Sequence, residues 1–209
     1  MIYFTGDLYL GNNIEIETEL KSKLSDSECI VTNFENVLEN DKSLLRKDKS
    51  SCLTYDSDTL QNYLDSLNSA HLFSLANNHI HDLGSKGVKH THENLESFAN
   101  AKAFGISTLG GTYKIIDCEN KLKIGVITGS SDHPEVMSII EDDDGHKMNN
   151  IYSHEFVELI KKVKPQVDFL VLYTHWGQEY LHYPRTDLRL LSYTWIDNGV
   201  DLILGHHPH

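Results

Sequence analysis

The chain has few cysteines and few basic residues, and each shortage excludes a class of protein. Cys29, Cys52 and Cys118 are odd in number and widely spaced among 209 residues, so they form neither a disulfide framework nor a CxxC zinc site. We interpret them as buried reduced thiols. The chain has 18 basic and 31 acidic residues, so its net charge is -13. This balance argues against nucleic-acid binding, which requires clustered Lys and Arg.

Long apolar runs are also missing from the sequence. The longest stretches, such as residues 169–173, are far shorter than the ~20 residues of a membrane-spanning helix. Residues 1–7 resemble a strand and lack the basic start and long apolar run of a signal peptide. We therefore expect no membrane span and a cytoplasmic location. The hydrophobic content of 39% is ordinary for a packed fold, and the length favours one domain over residues 1–209.

Short apolar runs alternate with helix-like segments. The runs are typical of strands buried on both faces of a sheet, and they cover residues 2–4, 29–32, 72–75, 122–128, 169–173 and 202–204. Helices are predicted over residues 58–67, 87–103, 154–164 and 187–198. The alternation predicts an α/β sandwich, in which ligands gather where strands end and loops begin.

Side chains that can bind metals follow these predicted strands. Alone, any one histidine is more often a surface or hydrogen-bonded residue than a ligand. Strand ends converge at one edge of an α/β sheet, however, so the joint pattern predicts a metal site. The residue types suit Mn, Zn or Fe, and the lack of nearby Cys argues against a closed structural zinc site. The candidates are enough for two divalent metal ions: Asp7, Glu35, Asn78, His175, His207 and His209.

The same residues belong to motifs that resemble a known family. The motifs are Gly6-Asp7, Asn33-Phe34-Glu35, the Ala-Asn-Asn-His-Ile-His-Asp-Leu-Gly segment at 76–84, the His-Trp-Gly-Gln-Glu-Tyr segment at 175–180, and the Gly-His-His-Pro-His segment at 205–209. In this order they resemble the CapA/PgsA family of bacterial capsule-synthesis and poly-γ-glutamate biosynthesis proteins. That family is similar to the calcineurin-like metallophosphoesterases. The resemblance implies a metallophosphoesterase sandwich of β-sheets flanked by helices.

The resemblance also implies roles for individual residues. His79 would be the general acid near the leaving group, since a positioned imidazole can protonate a departing oxygen or nitrogen. Asp82 would orient His79, with a role at a helix start as the alternative. Asp7 would bind the first metal, and Glu35 would take the bridging position. Asn78 and His175 would bind the second metal, and His207 and His209 would form the closing His-x-His pair.

Three further residues are candidates for substrate binding. Trp176 and Tyr180 could line a substrate wall, although aromatic residues near a strand end are also used for packing. Arg185 could clamp an anionic group through two hydrogen bonds, and a surface salt bridge is the alternative. The implied ligands are an anionic polymer or a small phosphorylated substrate, with other capsule-synthesis proteins as partners.

Two departures from the family pattern modify these expectations. The classical phosphoesterases have Asp-x-His in the first motif, whereas Tyr9 stands two residues after Asp7 here. This substitution predicts a weakly held or absent first metal. The family domain also continues beyond the motif that ends at His209, so we expect the chain to be C-terminally truncated and to lack the last strands of the domain.

The leading hypothesis is a metal-dependent hydrolase of the calcineurin-like type in capsule, poly-γ-glutamate or surface-polymer biosynthesis. The bond that it cleaves stays open between a phosphoester and an amide, because a fold alone does not determine a reaction. A non-catalytic accessory protein in polymer synthesis or export is the alternative, which Tyr9 favours. A storage or structural metal domain is a weaker third interpretation, because the candidate ligands lie where function concentrates.

Overall fold

A computed structural model describes residues 1–11, 14–39, 41–46, 49, 51–131 and 139–209. Its strands are β1 (Ile2–Leu8), β2 (Cys29–Phe34), β3 (Val37–Leu38), β4 (Thr54–Tyr55), β5 (Ala70–Ser74), β6 (Ala101–Phe104), β7 (Tyr113–Asp117), β8 (Lys123–Ser130), β9 (Phe169–His175) and β10 (Leu202–His206). Its helices are α1 (Thr18–Ser25), α2 (Ser57–Ser66), α3 (Gly84–Glu96), α4 (His154–Val163) and α5 (Thr186–Asp197), with short 3-10 turns at Lys42–Leu44 and Lys164–Gln166.

The strands form two four-stranded sheets and a small parallel pair, β3 and β4. The first sheet has the order β1-β2-β5-β6, and all of its neighbouring strands are parallel. The second has the order β10-β9-β8-β7, in which β7 is antiparallel to β8 and the other pairs are parallel. Parallel pairing brings the carboxyl ends of β1, β2 and β5 to one edge of the first sheet, and those of β8, β9 and β10 to one edge of the second.

Both sheets are buried on two faces, as their continuous apolar runs predict. One apolar layer lies between the sheets, where Val31 and Leu72 of the first sheet pack with Val126 and Tyr173 of the second. The outer face of the first sheet packs against α2 and α3, and that of the second against α4 and α5. Each fully buried large apolar side chain in such a layer contributes about 1.5–3 kcal/mol relative to an exposed one. The result is an α/β sandwich, which confirms the predicted fold class.

The predicted elements agree with the structure except around residues 97–103. All six apolar runs lie in or overlap strands, and three of the four helices are found within a few residues of their predicted bounds. The prediction of a helix over residues 87–103 is wrong at its end, because α3 stops at Glu96 and Ala101 begins β6. Ala101 and Ala103 are buried and pair with β5, so sheet pairing outweighs the helical preference of alanine. Neither β7 nor α1 was predicted.

Two helices begin with side-chain caps that their sequences provide. The Asp56 carboxylate accepts a hydrogen bond from the Thr59 backbone N–H at the start of α2, and the Ser153 hydroxyl accepts one from Phe156 at the start of α4. Each such cap stabilises a helix by about 1 kcal/mol. Among the described residues, no helix is long and apolar enough to cross a membrane.

Candidate metal centre

The carboxyl-terminal edges of the two sheets meet at the predicted ligands. Asp7 lies near the end of β1 and pairs in register with Asn33 of β2, while His175 ends β9 and pairs with His206 of β10. Glu35 directly follows β2. The expectation that the ligands lie on loops after strands is therefore wrong for Asp7 and His175, because strand pairing continues through both residues.

A first group of ligand atoms joins Asp7, His175 and His206. The Nδ1 atom of His206 lies 3.1 Å from Asp7 Oδ1 and 2.9 Å from His175 Nδ1. The Nδ1 atom of His175 is 3.8 Å from the same carboxylate oxygen. Asn33 Nδ2 donates a hydrogen bond of 2.6 Å to Asp7 Oδ1, which fixes the orientation of the carboxylate.

Two further groups extend the site through Glu35. One contains Glu35, His175 and His207, and the other contains Asp7, Glu35 and His209. His175 Nε2 lies 3.7 Å from Glu35 Oε1, and His209 Nε2 lies 3.6 Å from Asp7 Oδ2 and 3.7 Å from Glu35 Oε2. Asn78 adds an amide oxygen, since its Oδ1 is 2.8 Å from His175 Nε2. The structure thus brings all six predicted ligands together and adds His206.

Burial and neighbouring groups shift the pKa values of the ionisable side chains at this site. Burial and the neighbouring carboxylates of Asp7 and Glu179 raise the pKa of Glu35 to about 8. Burial also acts to raise the pKa of Asp7, but hydrogen bonding to His206 and Asn33 outweighs it and holds that pKa below its ordinary value. Complete burial, together with His206 and His207 nearby, lowers the pKa of His175 far below the usual range. The buried imidazole of His175 is therefore neutral and can offer a nitrogen lone pair.

The residues present fit a divalent cation. The Nε2 atom of His207 is buried and has no hydrogen-bond partner among the described residues, and such an orphaned polar atom is costly unless it serves a ligand. His207 also has a backbone φ of 101°, a conformation that costs a non-glycine residue about 1–3 kcal/mol and that clusters at functional sites. Its N–H donates to Asp7 Oδ2 at 2.8 Å, so the strained backbone holds the carboxylate.

His79 lies beside the cluster and is paired with Asp82. Its Nδ1 atom is 2.7 Å from Asp82 Oδ2, so the imidazole donates from Nδ1 and leaves Nε2 able to exchange a proton. The side chain of Asn77 accepts hydrogen bonds from the backbone N–H groups of His79 and Ile80 and shapes this turn. The alternative of a helix-start role for Asp82 is not observed, because α3 begins after Leu83.

A cavity of about 600 Å³ opens onto the ligand groups, and Asp7, Tyr9, Glu35, His207 and His209 contribute to its lining. A narrower cavity of about 170 Å³ shares Pro208 with it and is lined in part by Trp176 and Arg185. The first departure from the family pattern, Tyr9, therefore lies at the metal centre itself.

The three predicted substrate-binding residues occupy different surroundings. Trp176 packs on Trp195 with ring centroids 5.0 Å apart, so it contributes to packing as well as to the narrow cavity. Arg185 donates two hydrogen bonds to Asp187, which is the predicted alternative of a surface salt bridge. Tyr180 is 82% exposed and is absent from the lining of both cavities within the described part of the chain.

Three residues of the site were missed from the sequence. His206 lies inside the Gly-His-His-Pro-His motif, but it comes close to Asp7 only because the two sheets pack against each other. Asn33 belongs to a quoted motif without a predicted role. Lys49, whose ammonium lies 2.6 Å from Asp82 Oδ1, is in none of the motifs. The positions of Asn33 and His206 after apolar runs are signals that could have found them, whereas Lys49 follows no such run.

Two solved structures share the fold at low sequence identity. One is a hypothetical protein from Thermus thermophilus, with a TM-score of 0.54 and 12% identity, covering 100% of this chain and 68% of that chain. The other is a putative 5'-nucleotidase from Staphylococcus aureus, with a TM-score of 0.57 and 13% identity, covering 98% of this chain and 44% of that chain. These likenesses concern the fold alone.

Two curated relatives are similar along nearly the whole chain. The PGA biosynthesis protein CapA of Bacillus subtilis (strain 168) is 28% identical over 99% of this chain and 56% of that protein. The capsule biosynthesis protein CapA of Bacillus anthracis is 26% identical over 98% of this chain and 53% of that protein. The chain thus spans about half the length of these relatives. The family model described as bacterial capsule synthesis protein PGA_cap matches residues 2–209. The chain therefore belongs to the PGA_cap family of bacterial capsule synthesis proteins.

Proposed function

We propose that this chain is a metal-dependent hydrolase of the calcineurin-like type that acts in the synthesis of a capsule, poly-γ-glutamate or another surface polymer. The observation that carries the proposal is the buried cluster in which Asp7 and Glu35 meet His175, His206 and His207. The substrate would be an anionic polymer or a small phosphorylated molecule. The fold analogy favours a phosphoester and the capsule-synthesis setting of the family favours an amide, and the fold alone does not decide between them.

The cluster would hold Mn, Zn or Fe, with two ions as the expected number. The expected assignment places His175 with Asn78 at the second ion, but His175 belongs to two of the groups of ligand atoms. Grouped by the distances, Asp7, His175 and His206 would bind one ion, and Glu35, Asn78 and His207 would bind the other, with His209 close to both carboxylates. Such ions supply Lewis acidity, which acidifies water and stabilises charge on an anionic substrate. They would also neutralise the two buried carboxylates that the protein otherwise keeps close together.

The chain's own groups would carry the remaining steps. Asn33 and the His207 N–H hold the Asp7 carboxylate in one orientation. His79, held through Nδ1 by Asp82, would donate a proton from Nε2 to the departing oxygen or nitrogen. The cavity beside Glu35 is large enough for the end of a polymer or for a small phosphorylated molecule.

One observation favours a non-catalytic accessory role instead. Tyr9 lines the cavity where a classical phosphoesterase would have a histidine. In the hydrolase proposal, His206 compensates, because its imidazole lies 3.1 Å from Asp7. In the accessory role, the first ion is weakly held or absent, and the chain binds a polymer or another capsule-synthesis protein.

The test is elemental analysis of protein purified without chelator, followed by assays with added manganese or zinc. We expect about two metal ions per chain and hydrolysis of bis(p-nitrophenyl) phosphate or of a γ-glutamyl polymer. A His175→Ala/His207→Ala double variant should lose both, whereas His154→Ala should keep them, because His154 is 80% exposed on α4. Near-zero metal after manganese or zinc is added, with retained polymer binding, would contradict the hydrolase and favour the accessory role.

A further inference from the structure

Lys49 is a buried cation beside the proposed proton donor. Its side chain is only 9% exposed. The ammonium donates hydrogen bonds to Asp82 Oδ1 at 2.6 Å and to the Asn78 carbonyl oxygen at 2.8 Å, and it lies 3.5 Å from His79 Nδ1. A buried ammonium is costly unless it is paired and hydrogen-bonded. These contacts provide that pairing and direct the ammonium at this turn.

Asp82 is the residue through which this cation acts. Its side chain is fully buried, and its Oδ2 atom accepts hydrogen bonds from the Leu53 N–H and from His79 Nδ1, each at 2.7 Å. The ammonium of Lys49 compensates the negative charge on the other oxygen. A carboxylate with donors on both oxygens cannot rotate without breaking hydrogen bonds. Asp82 is therefore fixed in the orientation that receives the imidazole.

We propose that Lys49 is a positioning residue for the hydrolase. It holds Asp82 and the Asn78 carbonyl together, so that His79 keeps its proton on Nδ1 and presents Nε2 to the substrate. The same ammonium links the proposed acid to the proposed ligand, because Asn78 Oδ1 contacts His175. This inference rests on the proposed function, in which His79 protonates the leaving group.

The test compares two phosphate esters that differ in their need for an acid. An alkoxide leaves poorly unless it is protonated, whereas p-nitrophenolate leaves without help. We expect Lys49→Met to lower kcat for the alkyl ester about 100-fold, the usual scale of general acid catalysis, and to change kcat for the p-nitrophenyl ester only a few-fold. KM and metal content should not change. Lys49→Arg should restore part of the rate, since it keeps the cation and its donors.

Two further variants distinguish a positioning role of Lys49 from a general loss of structure. His79→Ala should show the same dependence on the leaving group, and adding Lys49→Met to it should cause little further loss, because both act through one interaction. Lys164→Met removes an ammonium at the same 2.6 Å distance from a different carboxylate, Asp201, and should leave both rates unchanged. Equal losses for the two esters in Lys49→Met would overturn the inference.

The inference can also be decided if the wild-type chain hydrolyses neither ester, a result that would count against a phosphoester as the substrate of the proposed hydrolase. Nitrogen-15 NMR of the metal-free protein at alkaline pH reports which nitrogen of a neutral imidazole carries the proton. We expect His79 to hold its proton on Nδ1 in the wild type and to lose this preference in Lys49→Met. The same tautomer in both proteins would show that Lys49 does not position His79.

Discussion

At the candidate metal centre, Glu35 would couple metal binding to pH. Its pKa is raised to about 8 by burial and by Asp7 and Glu179, so the metal-free folded protein binds a proton that the unfolded chain has already released. The stability that this proton provides is present below the unfolded value of about 4.5 and is lost as pH rises through about 8. From pH 6.5 to 8 the loss should be about 1–2 kcal/mol.

Glu35→Gln tests this coupling. In chelator, the free energy of unfolding of the wild type should fall between pH 6.5 and 8 relative to that of the variant, because a neutral amide replaces the titrating group. With manganese present the wild type should become more stable over the same range, since metal binding releases the proton. A parallel pH dependence of the two proteins in chelator would show that Glu35 is already ionised in the folded state.

His206 is the residue that decides whether the Asp7 side of the cluster can hold an ion. Tyr9 provides no imidazole there, whereas His206 Nδ1 lies 3.1 Å from the Asp7 carboxylate. His206→Ala should therefore reduce the metal content from about two ions per chain to about one and leave the Glu35 side occupied. Elemental analysis beside His154→Ala measures this change. Unchanged metal content would mean that His206 only orients Asp7.

Tyr173 of β9 forms hydrogen bonds that connect the two sheets near the candidate metal centre. The Tyr173 hydroxyl accepts a hydrogen bond of 2.8 Å from the Asn33 N–H and donates one to the Thr5 carbonyl oxygen. Asn33 in turn holds Asp7. This hydroxyl thus helps to place Asp7 of the first sheet relative to His175 of the second, together with the 3.3 Å contact between Asn33 Nδ2 and His175 Nδ1.

Tyr173→Phe removes both hydrogen bonds and leaves the Asn33 N–H buried without that acceptor. We expect a loss of about 1–3 kcal/mol in the free energy of unfolding, together with weaker metal binding, because the two halves of the cluster are no longer tied. Urea unfolding and calorimetric titration with manganese measure the two effects. Lower stability with unchanged metal affinity would show that other contacts between the sheets hold the ligands in place.

How far the sequence predicts these elements depends on how local their signals are. The strands β2 and β9 are continuous apolar runs, and the polar residues that end them locate the ligands. The end of α3 cannot be predicted from local sequence. Alanine favours a helix, but Ala101 and Ala103 form a strand because they pair with β5. His206 and Lys49 were missed for the same reason. Their contacts join residues far apart in sequence, which no periodicity reveals.

For the molecule as a whole, buried neutral histidines make the fold sensitive to acid. Burial lowers the pKa of His71 and of His81 to about 4, and it lowers those of His175, His206 and His207 as well. The unfolded chain takes up these protons below the ordinary value of about 6.5, whereas the folded protein does not. Stability is therefore fully present above pH 6.5 and is lost as pH falls towards 4.

His71 allows this acid sensitivity to be separated from the metal centre. It lies on β5, stacks on Phe73 and contacts Tyr63, with ring centroids 5.5 Å apart in both pairs. Neither of its ring nitrogens has a hydrogen-bond partner among the described residues. His71→Phe keeps the ring packing and removes both the unsatisfied nitrogens and the titration. The variant should be at least as stable as the wild type at pH 7.5, and its advantage should grow by about 2 kcal/mol at pH 5.

Urea unfolding of metal-free protein at the two pH values measures this difference, with His154→Phe on the exposed face of α4 as the matched control. The control should gain no advantage at pH 5, because the His154 side chain is 80% exposed and its replacement changes no buried group. If His71→Phe and the wild type lose the same free energy between pH 7.5 and 5, His71 must be protonated inside the fold. The acid sensitivity would then belong to the remaining buried histidines, and added manganese should reduce it, because the proposed ligands among them would be held neutral by the metal.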